Sequence, residues 1–137
     1  MTQTPEPVSL DAETLAFAHR MFDLARNGEA GSLADQVDAG LPANLTNDKG
    51  DTLLILAAYH QHPATVQALL DRGADTSRVN DRGQTALAAA VFRRSADTVT
   101  ALLDAGADPD AGSPSARDTA VFFELAEMSY LLEPHDG

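Results

Sequence analysis

The chain has 137 residues, one domain's worth, with 21 acidic against 9 basic residues and a formal net charge of −12. A surface this negative is repelled by phosphate backbones and anionic membranes, which argues against nucleic acid and lipid as partners. Cysteine is absent, which excludes disulfides and thiolate metal sites, and the alanine- and leucine-rich apolar content, without tryptophan, suits close helix–helix packing better than a β-sandwich.

Residues 1–8 are polar and include Pro5 and Pro7. They lack the basic start and apolar run of a signal peptide, and no stretch is long enough to span a bilayer, so a disordered tail and a cytoplasmic location are expected. From about Asp11 to Asn27 the pattern predicts one longer helix, with Leu15, Ala18, Phe22 and Ala25 along a single stripe.

The strongest signal begins at Asn47. Residues 47–79 align with residues 80–112 over 33 positions without a gap, and 15 are identical, against about two expected from average composition. Gly50/Gly83 and Gly73/Gly106 fall where the chain must turn, and Thr52/Thr85 stand at a helix N-cap before an apolar run. Leu54/Leu87 and Ala57/Ala90 are spaced i, i+3 on a first helix. Val66/Val99, Leu69/Leu102 and Leu70/Leu103 give i, i+3, i+4 on a second. Gln61-His62-Pro63 and Arg94-Ser95-Ala96 form the short turn between them, with Pro63 acceptable in the first turn of its helix.

Each unit therefore reads as helix, tight turn, helix and extended return. One such pair cannot cover its own apolar face, so units must stack. One period earlier, Gly40 falls on the Gly73 position, Leu33 on Val66 and Ala25 on Ala58, while Phe17 replaces the hairpin glycine; residues 9–46 are a degenerate N-terminal cap. Ser113-Pro114-Ser115 breaks the chain before Asp118–Leu132, a shortened pair in which Phe122, Phe123, Met128, Leu131 and Leu132 are expected to supply apolar faces. Residues 113–133 are thus a truncated C-terminal cap, and residues 134–137 a loose tail.

The run Asp48, Gly50, Thr52, Leu54, Ala57, Val66, Leu69, Leu70, Gly73, Ala74, Asp75, repeated as Asp81, Gly83, Thr85, Leu87, Ala90, Val99, Leu102, Leu103, Gly106, Ala107, Asp108, closely resembles the ankyrin repeat. The resemblance implies an all-α solenoid of stacked helix–turn–helix units with short hairpin loops, here three units plus a truncated cap. The family's Thr-Pro-Leu-His becomes Thr52-Leu53-Leu54-Ile55 and Thr85-Ala86-Leu87-Ala88. The histidine that ties neighbouring repeats is missing, and weaker coupling between units is expected.

No constellation for catalysis stands out. His60 and His62 are at i, i+2 and do not share a helix face, and no acidic residue evidently completes a metal site with them. The carboxylate-dense Asp104–Asp110 lacks the ligand spacing of a calcium loop and reads as turn-forming aspartates. No nucleophile elbow, phosphate-binding loop or dinucleotide fingerprint is present, and the glycines recur with the structural period. No enzyme activity, cofactor or metal is expected.

In proteins that resemble this one, partners dock on the concave side, formed by hairpin tips and first helices. Periodicity places Arg26, Asn27, Lys49, Asp51, Tyr59, His60, Arg82, Gln84, Phe92 and Arg93 there. With Arg94 beside Arg93, that side holds five of the nine basic residues, and Tyr59 and Phe92 occupy equivalent positions one repeat apart. Interfaces favour arginine and aromatic residues at their centres. The reading is a monomeric protein–protein interaction module whose partner presents an acidic rim around an apolar spot; a packing role for the two aromatic rings is the alternative. By resemblance alone, a dedicated accessory subunit of an enzyme complex, for example one tied to oxidative stress, or a secreted effector are the other roles.

Overall fold

A computed structural model describes residues 7–134. Its helices pair in chain order as α1 (Pro7–Asn27) with α2 (Ala30–Asp38), α3 (Leu53–Tyr59) with α4 (Pro63–Leu70), α5 (Ala86–Phe92) with α6 (Ala96–Asp104), and α7 (Ala116–Phe122) with α8 (Ala126–Leu132). Each first helix packs against the first helices beside it and each second helix against its own neighbours, so the molecule is a two-layered stack. Among the described residues no strand forms; two isolated bridges, Thr46 to Thr52 and Gly112 to Ser115, mark hairpin loops.

The local chemistry explains the periodic start of each first helix. Thr52 and Thr85 are extended, and their hydroxyls accept from the backbone N–H of Ile55 and Ala88 at 3.1 Å. Both cover helix-start donors that otherwise have no intrahelical partner. Ser115 does the same for α7, accepting from the Asp118 N–H, so the cap's first helix starts two residues before the expected Asp118. The turn into each second helix passes through one left-handed residue, Gly28, Gln61, Arg94 and Glu124 in successive units.

The core is one continuous layer. Leu53 to Ala58 and Ala86 to Val91 are buried without interruption, because a central first helix has neighbours on both sides. Leu33, Val66, Leu69, Val99, Leu102, Met128 and Leu132 supply the second-helix layer. Neighbouring hairpins approach until a side chain at two glycines would collide with the next unit. A Cβ on Gly50 would lie 2.9 Å from the Asp81 backbone nitrogen, and one on Gly83 would meet the Ser113 carbonyl. Both glycines also have positive φ. The approach is used: the Asp81 N–H donates to the Lys49 carbonyl at 3.0 Å and the Ser113 N–H to the Gly83 carbonyl at 2.9 Å. Buried Asn80 adds a side-chain tie, donating from Nδ2 to Asp51 at 2.9 Å while its Oδ1 accepts from the N–H groups of Arg82 and Gln84. These bonds join the repeats where the family's histidine is missing.

Several expectations need correction. Pro7 and Val8, read as tail, lie in α1, and residues 1–6 and 135–137 fall outside the described residues. Leu15 is 57% exposed at the N-terminal end of the α1 stripe, whereas Phe22 and Ala25 are buried. Phe122 and Phe123 do not face the core: α7 buries Ala116, Thr119 and Ala120 instead, leaving the two rings 78% and 46% exposed.

The outer face of the last unit combines charged side chains with Val121, which is 67% exposed in the place of buried Val91. Counting from the capping hydroxyls, Arg117 stands where α5 has Leu87, Asp118 where it has Ala88, and Glu133 where α6 has Leu103. Arg117 donates to Asp110 at 2.8 Å and to Glu133 at 2.9 Å across this face.

Two stability measurements test this packing. Asn80→Ala leaves the buried Asp51 carboxylate without its partner and should lower urea-unfolding stability by about 1–3 kcal/mol. Thr65 is buried and its Oγ1 finds no hydrogen-bond partner, so Thr65→Val should raise stability by about 1 kcal/mol in the same assay.

Candidate functional site

Because successive first helices lie side by side, the residues that end them form a row. Tyr59, Phe92 and Phe122 are the last residues of α3, α5 and α7, and His60, Arg93 and Phe123 follow them as C-caps. Tyr59 and Phe92 stack with centroids 6.3 Å apart and planes 14° from parallel. Phe123 meets Phe92 edge-on at 5.5 Å and Phe122 at 4.9 Å. The Arg93 guanidinium sits over the Tyr59 ring at 4.9 Å, a cation–π contact that holds the cation on this face.

Beside this row is a cleft of about 210 Å³ with Ile55 and Leu56 in its lining. It gathers seven of the ten residues placed here from the sequence: Arg26, Lys49, Asp51, Tyr59, His60, Arg82 and Gln84. Phe92 and Arg93 line the adjoining depression with Gln61, Arg94 and Phe123. Asn27 is exposed at the end of α1.

These residues differ in their freedom to contact a partner. Asp51 is buried and accepts from Asn80, and half-buried Gln84 accepts from the same amide at 3.2 Å; both are committed to holding hairpins together. Arg26 pairs with Asp23 at 2.9 Å, and its carbonyl accepts from His62 Nε2 at 2.7 Å, which ties the second unit to the end of α1. Lys49 and Arg82 are exposed on hairpin tips, and neither they nor Arg93 and Arg94 come within 4.0 Å of a carboxylate among the described residues. Elsewhere Arg72 pairs with Asp38, Arg78 with Asp75, and Arg117 with Asp110 and Glu133, while Arg20 lies over the Phe17 ring at 5.6 Å.

Phe122 and Phe123 were missed at this site. The loop before α7 is three residues shorter than its predecessors, so a fixed step of 33 from Phe92 misses them and a step of 30 lands on Phe122.

The aspartates of the return loops serve the turns. Asp75 accepts from the Ser77 N–H at 2.8 Å and its hydroxyl at 2.6 Å, bonds that together with Arg78 hold its carboxyl below the usual carboxylate range. Asp108 accepts from the Asp110 N–H at 2.9 Å. Among the described residues no three His, Cys, Asp or Glu side chains group to hold a metal ion, and no helix is long and apolar enough to cross a membrane.

A preformed face of hairpin tips and helix ends, carried by stacked helical pairs, defines a helical-repeat recognition module. The chain belongs to the ankyrin-repeat family: residues 21–113 match the family described as ankyrin repeats in three copies. It is also similar to a protein of Pseudomonas aeruginosa named for its ankyrin repeats, 52% identical over 67 residues, or 49% of this chain. The matched stretch is 39% of that relative's length. Membership marks the chain as a protein–protein interaction module.

Burial, followed by the nearby His62, Arg26 and Arg93, pushes the His60 pKa below its ordinary 6.5. Protonated His60 is therefore disfavoured in the folded state, and as pH falls through 6.5 the unfolded chain takes up the proton first. The prediction is that stability declines more steeply between pH 7 and pH 5 in the parent than in His60→Gln, read by urea unfolding across that window.

Proposed function

We propose that the chain is a non-enzymatic adaptor, inhibitor or scaffold that acts as a cytoplasmic monomer and docks one protein partner on its first-helix face. In this reading residues 47–79 and 80–112 are full repeats, and residues 9–46 and 113–133 are capping repeats. The observation that carries it is the row of rings across three consecutive units, with Phe92 40% exposed beside cations that have no carboxylate partner. A monomer in water gains little from leaving such a row uncovered, whereas large rings and arginines at the centre of an interface combine buried area with directional bonds. The backbone of the face is held by the repeats beneath it, so little entropy is lost when a partner docks. A short array offers roughly 800 Å² to a partner, a standard interface half.

The combined variant Tyr59→Ala/Phe92→Ala/Arg93→Ala tests this. Captured from native lysate on immobilised protein, the bound partner should fall at least tenfold while the thermal midpoint stays within a few degrees of the parent. A drop of many degrees, with capture tracking only the unfolded fraction, would show these residues to be packing elements.

A further inference from the structure

The depression at the interhelix turns differs from the cleft beside it in its charge. Its lining is apolar at Phe92, Phe123 and Leu125 and polar at Gln61, Arg93 and Arg94, and it includes no carboxylate. The cleft at the hairpin tips, by contrast, takes in Asp51. Asp97, in the first turn of α6, and Glu124, between Phe123 and Leu125, are the acidic residues next to the depression in sequence. Neither lines it, and neither comes within 4.0 Å of Arg93 or Arg94.

The fold does not call for these two cations. The left-handed turn position of Arg94 is held by Gly28, Gln61 and Glu124 in the other units, and the C-cap position of Arg93 by His60 and Phe123. In a chain with 21 acidic residues both arginines stay without a carboxylate, and they share their depression with two exposed rings 5.5 Å apart. The Arg93 guanidinium is held in place on Tyr59. Cations and rings therefore meet in one volume of about 470 Å³, within the roughly 300–1,000 Å³ of ligand sites.

That lining fits one carboxylate beside one large apolar group. A guanidinium fork takes a planar carboxylate through two parallel bonds, and the rings supply contact area. An acidic run fits less well, because Glu124 on the adjoining turn repels further carboxylates. The last residue of a polypeptide carries both groups on a single Cα, whereas an internal segment needs two side chains to supply them.

We propose that this depression captures the C-terminal residue of a partner protein, with its apolar side chain against Phe92 and Phe123 and its terminal carboxylate at Arg93 and Arg94. The inference rests on the docking face of the preceding subsection and names what enters it. The arginines fix the direction of the incoming chain, and the rings supply the burial that slows its release.

The test is selection, on the immobilised full chain, of random octapeptides displayed with free C-termini. The consensus peptide is then synthesised as its free acid and as its C-terminal amide, and both are titrated in fluorescence polarisation. The last position should be enriched in large apolar residues, and amidation should weaken binding tenfold or more. Arg93→Gln/Arg94→Gln should weaken the acid to the level of the amide, which it leaves nearly unchanged; glutamine already stands at this turn in the preceding unit, as Gln61. Phe92→Ser/Phe123→Ser should weaken both forms tenfold. Circular dichroism and melting of each variant confirm its fold. Acid and amide binding equally, or enrichment of internal Asp or Glu with no preference at the last position, would overturn terminal capture and leave the docking face standing if binding is still lost on Phe92→Ser/Phe123→Ser. Peptides indifferent to both variants, or no enrichment at all, would overturn terminal capture, and capture from lysate by the Tyr59, Phe92 and Arg93 variant then decides the docking face on its own.

Discussion

Neighbouring units in this protein come close enough for main chain to bond to main chain at the hairpin tips, from Asp81 to Lys49 and from Ser113 to Gly83. That closeness requires the absence of side chains at Gly50 and Gly83, and in the first-helix layer α5 buries Ala86, Ala88, Ala89 and Ala90 between its neighbours. The first helices of consecutive units pack side by side, with the leucines and isoleucine of α3 against the alanine-rich α5. The inner row becomes a surface on which residues from consecutive units are lateral neighbours. Tyr59 stacks on Phe92 for this reason, although 33 positions separate them in sequence.

The same geometry sorts charge. Away from the cleft several arginines are spent on carboxylates: Arg72, just past α4, bonds Asp38 through two nitrogens, and Arg117, at the start of α7, bridges Asp110 and Glu133. These pairs are exposed and contribute little to stability individually. Their larger consequence is to quench positive charge away from the first-helix face. On the first-helix face Arg26 pairs with Asp23, whereas Lys49, Arg82, Arg93 and Arg94 have no carboxylate within 4.0 Å among the described residues, and burial, followed by His62, Arg26 and Arg93, depresses the basicity of His60.

What the sequence disclosed depended on how strictly its period held. Thr52 and Thr85, the paired glycines and the i, i+3, i+4 apolar positions were legible because two units repeat in phase, and their caps, turns and burial follow. The proximity of the proposed docking residues was legible too, since seven of the ten line one cleft. The roles of Asp51 and Gln84 were not, because they depend on Asn80 reaching across 29 positions to a carboxylate, a contact that side-chain direction decides and periodicity does not. Phe122 and Phe123 escaped for a different reason. Apolar residues near a helix end resemble core in any sequence, and the shortened loop had already broken the phase that would have aligned them with Phe92.

The last unit shows how one surface can be closed while the one beside it stays open. Its outer face, where a further repeat would stack, has exchanged Leu87, Ala88 and Leu103 for Arg117, Asp118 and Glu133, and it is tied by charge-assisted bonds that another apolar helix would have to desolvate. An array neighbour is thereby disfavoured at that end. One apolar side chain, Val121, does lie open on that terminating face, one turn beyond Arg117 and in the place of buried Val91. Phe122 and Phe123 instead continue the row begun by Tyr59 and Phe92, at the edge where helix ends meet the interhelix turns. Charged side chains on the stacking face thus go together with rings retained across the array, an arrangement that suits the proposed recognition surface.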